Sequence, residues 1–160
     1  MSNRMLNDGS THPTPLGWWR SLPADELGFG DVGRLRRAMS GLQIFGEPRW
    51  NAAVTGDAAE AIGVAIRVAV TKPCIDPVVD LVMSAVLGAA IKEDHGARHF
   101  LAHMLRKRVA ADPLAESIAL SWIAASRAAA QARRASKPHV RMRPPRRRHI
   151  ASCGGSARRR

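Results

Sequence analysis

The chain has no tyrosine, only three phenylalanines, and four tryptophans in 160 residues. Rings this scarce do not make a platform on which successive bases stack. Cysteine is nearly absent too. Cys74 and Cys153 stand far apart with no metal-ligand spacing, which excludes a disulfide framework or a zinc module and fits a reducing cytoplasm. The longest apolar stretch, Val78 to Ile91, is about 14 residues and carries Asp80 and Ser84. It is too short to span a bilayer and reads as a buried helix. Met1 to Thr14 is polar without an apolar core, so it is no secretory signal. No acidic residue occurs after residue 126.

That last absence explains the net charge of +12. Residues 1–126 hold 13 Lys/Arg against 13 Asp/Glu, whereas residues 127–160 hold the other 12 Lys/Arg unopposed. The body is neutral, and the basicity belongs to an Arg- and Pro-rich segment that lacks the apolar residues to fold alone. Alanine supplies much of the 46% apolar content and points to helices. The expectation is therefore an all-α protein. It has a flexible N-terminal arm over 1–14, a compact helical bundle over 15–135, and a disordered basic C-terminal tail over 136–160.

Helix boundaries follow from caps and prolines. Pro15 starts a short helix carrying Leu16, Trp18, Trp19 and Leu22, and Pro23 ends it. Asp31 is read as the N-cap of a helix with Val32, Leu35 and Met39 on one side, leaving Arg34, Arg36 and Arg37 turned away from that stripe. A helix from about Ser40 to Val54 follows, which Pro48 is able to kink or split, then Ala58 to about Val70 behind Asp57. The apolar helix spans 78–91, and another runs from about Asp94 to Ala110. Asp112-Pro113 opens the last, with Leu114, Ile118 and Trp122 at spacing of four, ending near Ala135.

Little in this pattern is chemistry. His95, His99 and His103 share one helix face, but three successive turns spread over about 12 Å, which one ion does not bridge. Cys74 has no neighbouring base, and Gly28-Phe29-Gly30 lacks the strand, helix and third glycine of a phosphate-cradling loop. No catalytic residue, metal ligand or cofactor site is assigned. What remains are two basic clusters, Arg34/Arg36/Arg37 and Arg106/Lys107/Arg108, suited to backbone phosphate without sequence readout. Cations near a helix C-terminus and a solvated helix face are the plain alternatives.

The order of certain motifs resembles one family. Trp18-Trp19-Arg20-Ser21-Leu22, Gly30-Asp31, Leu35-Arg36-Arg37 and Glu47-Pro48 are followed by Val86-Leu87-Gly88 to Lys92-Glu93-Asp94 and by Ala97 to Leu105. Over about 16–105 this is similar to the CasB family, the small subunit of the type I-E CRISPR surveillance complex, Cascade. The likeness fades over 106–135, where the family's second helical lobe opens on an Arg-Phe-Arg-Arg-like segment that is missing here. The resemblance implies a non-catalytic, cytoplasmic subunit of an antiviral complex. It would contact other Cascade subunits, further copies of itself, the crRNA and the target DNA, and no membrane. Two other readings stand beside it. One is a small nucleoid- or ribosome-associated helical protein that binds nucleic acid through its tail. The other is a truncated or frameshifted inactive homologue, since the tail has the texture of a GC-rich gene read out of frame.

Overall fold

A computed structural model describes residues 13–73 and 76–136. The basic tail, all but the end of the N-terminal arm, Cys74 and Cys153 lie outside these described residues. Within them the protein is all-α: two short 3₁₀ turns, Pro15–Arg20 and Ala24–Glu26, and six α-helices. These are α1 (Phe29–Met39), α2 (Trp50–Thr55), α3 (Ala58–Thr71), α4 (Pro77–Ile91), α5 (His95–Arg106) and α6 (Leu114–Ala135).

Aspartates stand at the start of four of the helices, three of them (Asp57, Asp94 and Asp112) where the sequence predicts a start and the fourth, Asp76, not anticipated. Asp57 accepts a hydrogen bond from Glu60 N at 3.1 Å, Asp76 from Val78 N at 2.8 Å and Asp94 from Ala97 N at 2.7 Å. Asp112, ahead of Pro113, accepts from Leu114 N at 3.0 Å. Each satisfies an N–H that the helix itself cannot pair.

Helix α4 is the axis. Apart from Pro77, Val78 and Asp80 every residue in it is buried, as a helix apolar on all sides requires. Helices α1, α3 and α5 and the first 3₁₀ turn pack around it, and α6 lies along α5. Ala24 N donates to Ser121 Oγ at 2.9 Å, tying α6 back to the N-terminal turns. Trp19, Trp50 and Trp122 are among the largest side chains fully withdrawn from solvent.

The two polar residues that interrupt the apolar run of α4 hold the tryptophan turn. The carboxylate of Asp80 accepts from Trp19 Nε1 at 2.9 Å, Arg20 Nε at 3.0 Å and Arg20 Nη2 at 2.7 Å. Ser84, wholly buried, donates from Oγ to the carbonyls of Leu16 and Asp80. Both tryptophans are buried, Trp18 nearly and Trp19 entirely. They pack the bundle.

Three boundaries differ from expectation. No helix forms over residues 40–49; only Trp50–Thr55 of that span is helical. Gly41 and Gly46 sit at φ 77° and 83°, values that break a right-handed helix. The resulting loop is clamped by Trp50 Nε1 on the Leu42 carbonyl and by a bidentate pair between Arg67 and Glu47. Asp31 is not the N-cap of α1. Gly28 is, and Asp31, three residues on, accepts from the Gly28 N–H at 3.0 Å. The helix expected to reach Ala110 stops at Arg106, where tight i to i−3 bonds take over and Arg108 turns back toward Trp19.

The α4–α5 joint is a Schellman motif without its glycine. Asp94 N donates to Ala89 O at 3.2 Å and Glu93 N to Ala90 O at 3.1 Å, with Glu93 at φ 68°. A side chain there carries the strain of the left-handed region. Glu93→Gly is expected to stabilise the fold by about 1 kcal/mol. In urea the midpoint would rise with the slope unchanged.

Candidate nucleic-acid interface

The six basic residues singled out from the sequence do not form one patch. Arg34 lays its guanidinium over Trp18, 5.1 Å from the ring centroid, and reaches Asp31 at 3.4 Å. Arg108 lies over Trp19 at 5.4 Å. The buried tryptophan pair is thus covered by one arginine from each cluster, a cation–π arrangement that holds both in place. Arg37, Arg106 and Lys107 are exposed.

Arg36 goes elsewhere. It donates from Nη2 to the carbonyl of Thr55, the end of α2, and lies beside Lys92 at the end of α4. Gly56 stands between them at φ 111°, and a Cβ added there would collide with Lys92 Nζ and come within 3.1 Å of Arg36 Nη2. Two cations therefore converge on one backbone glycine. No ion pair with a carboxylate holds either of them among the described residues. Burial pushes the Lys92 ammonium below the ordinary lysine range, and the Arg36 charge pushes it the same way.

A cleft of about 410 Å³ opens beside this pair, lined by Gly56, Lys92, Glu93, His95 and Arg133 among others. Lys92 and Arg133 were not singled out from the sequence. Lys92 belongs to no cluster along the chain, and Arg133 falls among the residues counted with the basic end. Packing of α1 on α4 brings Lys92 beside Arg36, and α6 brings Arg133 to the cleft that Lys92 lines. From Asp80, at the tryptophan turn, to Lys92 is twelve residues of α4, or about 18 Å. The cations accordingly lie toward two ends of one axis: Arg34 and Arg108 at the tryptophans, Arg36, Lys92 and Arg133 at the other.

His95 and His99 turn ring nitrogens to one hydroxyl, Ser126 Oγ, at 2.6 and 3.5 Å; His103 is exposed on the same helix. Among the described residues no three His, Cys, Asp or Glu side chains group closely enough to hold a metal ion. No helix among them is long and apolar enough to cross a membrane.

Fold and site together define an all-α bundle with cations gathered, without a carboxylate partner among the described residues, at the end of its central helix. No family model, curated protein or solved structure matches the chain. The likeness to the CasB family rests on its motifs alone.

Proposed function

We propose that this protein is a non-catalytic, cytoplasmic small subunit of a type I-E RNA-guided surveillance complex. In that role it binds crRNA, target DNA and the neighbouring subunits, and steadies the opened duplex. One observation carries the reading on the side of physics: Arg36 and Lys92 are held together over Gly56 without a carboxylate between them. A fold that only needed stability would not place like charges so. A backbone phosphate seated there would relieve the repulsion, and base pairing rather than the protein would supply sequence recognition.

Lys92→Gln separates a binding role from a structural one. The charged ammonium is disfavoured in the folded state, so its penalty is present at neutral pH and lifts as pH rises toward the ordinary lysine range. Removing the charge is therefore expected to raise Tm at pH 7 while weakening binding to an RNA–DNA hybrid. A lysine that merely supports the fold would show a lowered Tm instead.

The reading as a whole is tested by assembly. The full chain is mixed with guide-loaded type I-E backbone subunits and resolved by size-exclusion chromatography. Stable co-migration, weakened when the exposed Arg37, Arg106 and Lys107 are changed to Glu, is the expected result. Failure to enter the complex, with DNA binding that follows the tail arginines alone, gives the function to the tail.

A further inference from the structure

Arg98 is the least expected cation in the molecule. It is 8% exposed, and no carboxylate pairs with it among the described residues. A buried charge is ordinarily compensated by an opposite one. Arg98 has only carbonyls: Nε donates to Ala90 O at 3.0 Å and Nη1 to Ala125 O at 2.9 Å. These bonds hold the guanidinium between the end of α4 and the middle of α6. Its other terminal nitrogen, Nη2, has no hydrogen-bond partner among the described residues.

Arg98 lines a cleft of about 290 Å³ between α5 and α6, together with Glu93, His95, Ser126, Ala129, Ala130 and Arg133. Ser126 is only 1% exposed and its hydroxyl meets His95 Nδ1 at 2.6 Å. In the tautomer that donates from Nδ1, the serine hydrogen can go to His99 Nε2, a long 3.5 Å away, or to a ligand acceptor in the cleft. Arg133 reaches across the mouth, Nη2 lying 3.4 Å from the carbonyl of Glu93. Two guanidinium groups, a hydroxyl and an imidazole thus border one space, with two alanines forming its apolar wall.

We propose that this cleft binds a phosphate monoester, its phosphoryl group lying between Arg98 and Arg133 and its organic part against Ala129 and Ala130. Guanidinium groups match phosphate oxygens in geometry and stay charged at any relevant pH. Donors on several sides suit a tetrahedral anion better than a flat carboxylate. Two cations also balance the charge of a monoester, which a single backbone diester does not need. The volume exceeds a bare phosphate and approaches that of a small-ligand pocket. The Glu93 carboxylate is the one group bordering the cleft that opposes an anion, and it gives the proposal a sign to be read. The cleft shares Glu93, His95 and Arg133 with the larger one beside Lys92, but Arg98 and Ser126 line only this one, and its ligand need not be a polymer.

The test uses the full chain and thermal melts at fixed ionic strength, with chloride exchanged for inorganic phosphate, AMP, or a short oligonucleotide carrying either a 5′-phosphate or a 5′-hydroxyl. The expected result is a saturating rise in Tm with the phosphorylated probes and a smaller one, or none, with the 5′-hydroxyl strand. Arg133→Ala and Ser126→Ala should each weaken the apparent affinity at least about tenfold, the loss of one charged hydrogen bond or its equivalent. Glu93→Gln should tighten it. AMP exceeding the phosphorylated strand marks a free metabolite as the source, and the reverse order marks a strand end. Dose responses that are the same in wild type and all three variants would place the anion outside this cleft and overturn the proposal. So would the absence of any rise.

Discussion

Asp80→Ala is expected to lower stability by about 2–3 kcal/mol. Three donors converge on that carboxylate, and they do not contribute alike. Trp19 is wholly buried, so removing its acceptor strands Nε1 away from water at a cost of about 1–3 kcal/mol. Arg20 keeps 41% of its side chain exposed, so water replaces most of what it loses and its share is under about 1 kcal/mol. At about 3 °C per kcal/mol for a domain of this size, Tm should fall by roughly 6–9 °C. Trp19→Phe separates the terms, because phenylalanine has no N–H to strand. In a Trp19→Phe background, Asp80→Ala should cost about 1 kcal/mol or less. An Asp80→Ala protein that melts with the wild type would remove the account of how the tryptophan turn is held.

What can be read along the chain, and what cannot, follows from how local each signal is. Asp57, Asp94 and Asp112 each accept from an N–H within three residues of themselves, so these helix starts are legible, and Asp76 does the same ahead of Pro77. The apolar stretch after Pro77 announces a central helix for the same reason. The loop over 40–49 reads as helix because its apolar residues keep a helical spacing; Pro48 signals a kink or split, and the positive φ values of Gly41 and Gly46 show that the whole stretch is broken. Asp80 and Ser84 look like interruptions of an apolar run, yet their partners Trp19, Arg20 and Leu16 lie 61, 60 and 68 residues away. The site is legible in part. Arg34, Arg36 and Arg37 stand out as a cluster, but a periodic stripe does not say that Arg34 stacks on Trp18 while Arg36 turns to Thr55. Lys92, Arg98 and Arg133 come from three separate segments, and no spacing rule joins them.

Changing Arg37, Arg106 and Lys107 together to glutamate is expected to weaken binding to an RNA–DNA hybrid by about a thousandfold. These three are chosen because they are exposed and no side-chain hydrogen bond or ion pair holds them among the described residues. Arg34 and Arg108 cover tryptophans and Arg36 meets a backbone carbonyl, so altering them would mix folding with binding. A phosphate contact worth about 1.4 kcal/mol is tenfold in affinity, which gives the thousandfold for three. Salt supplies the independent check. Each phosphate interaction removed takes about 0.9 off the slope of log affinity against log salt, so the triple variant should flatten that slope by about 3. The basic tail contributes its own slope, which these substitutions leave in place. A parallel set with the tail arginines replaced by serine should keep the hybrid affinity that the body provides and lose only the tail's share. If instead the triple variant binds as tightly as the wild type with an unchanged slope, these three side chains touch no phosphate, and the contact belongs to Arg36 and Lys92 or to the tail.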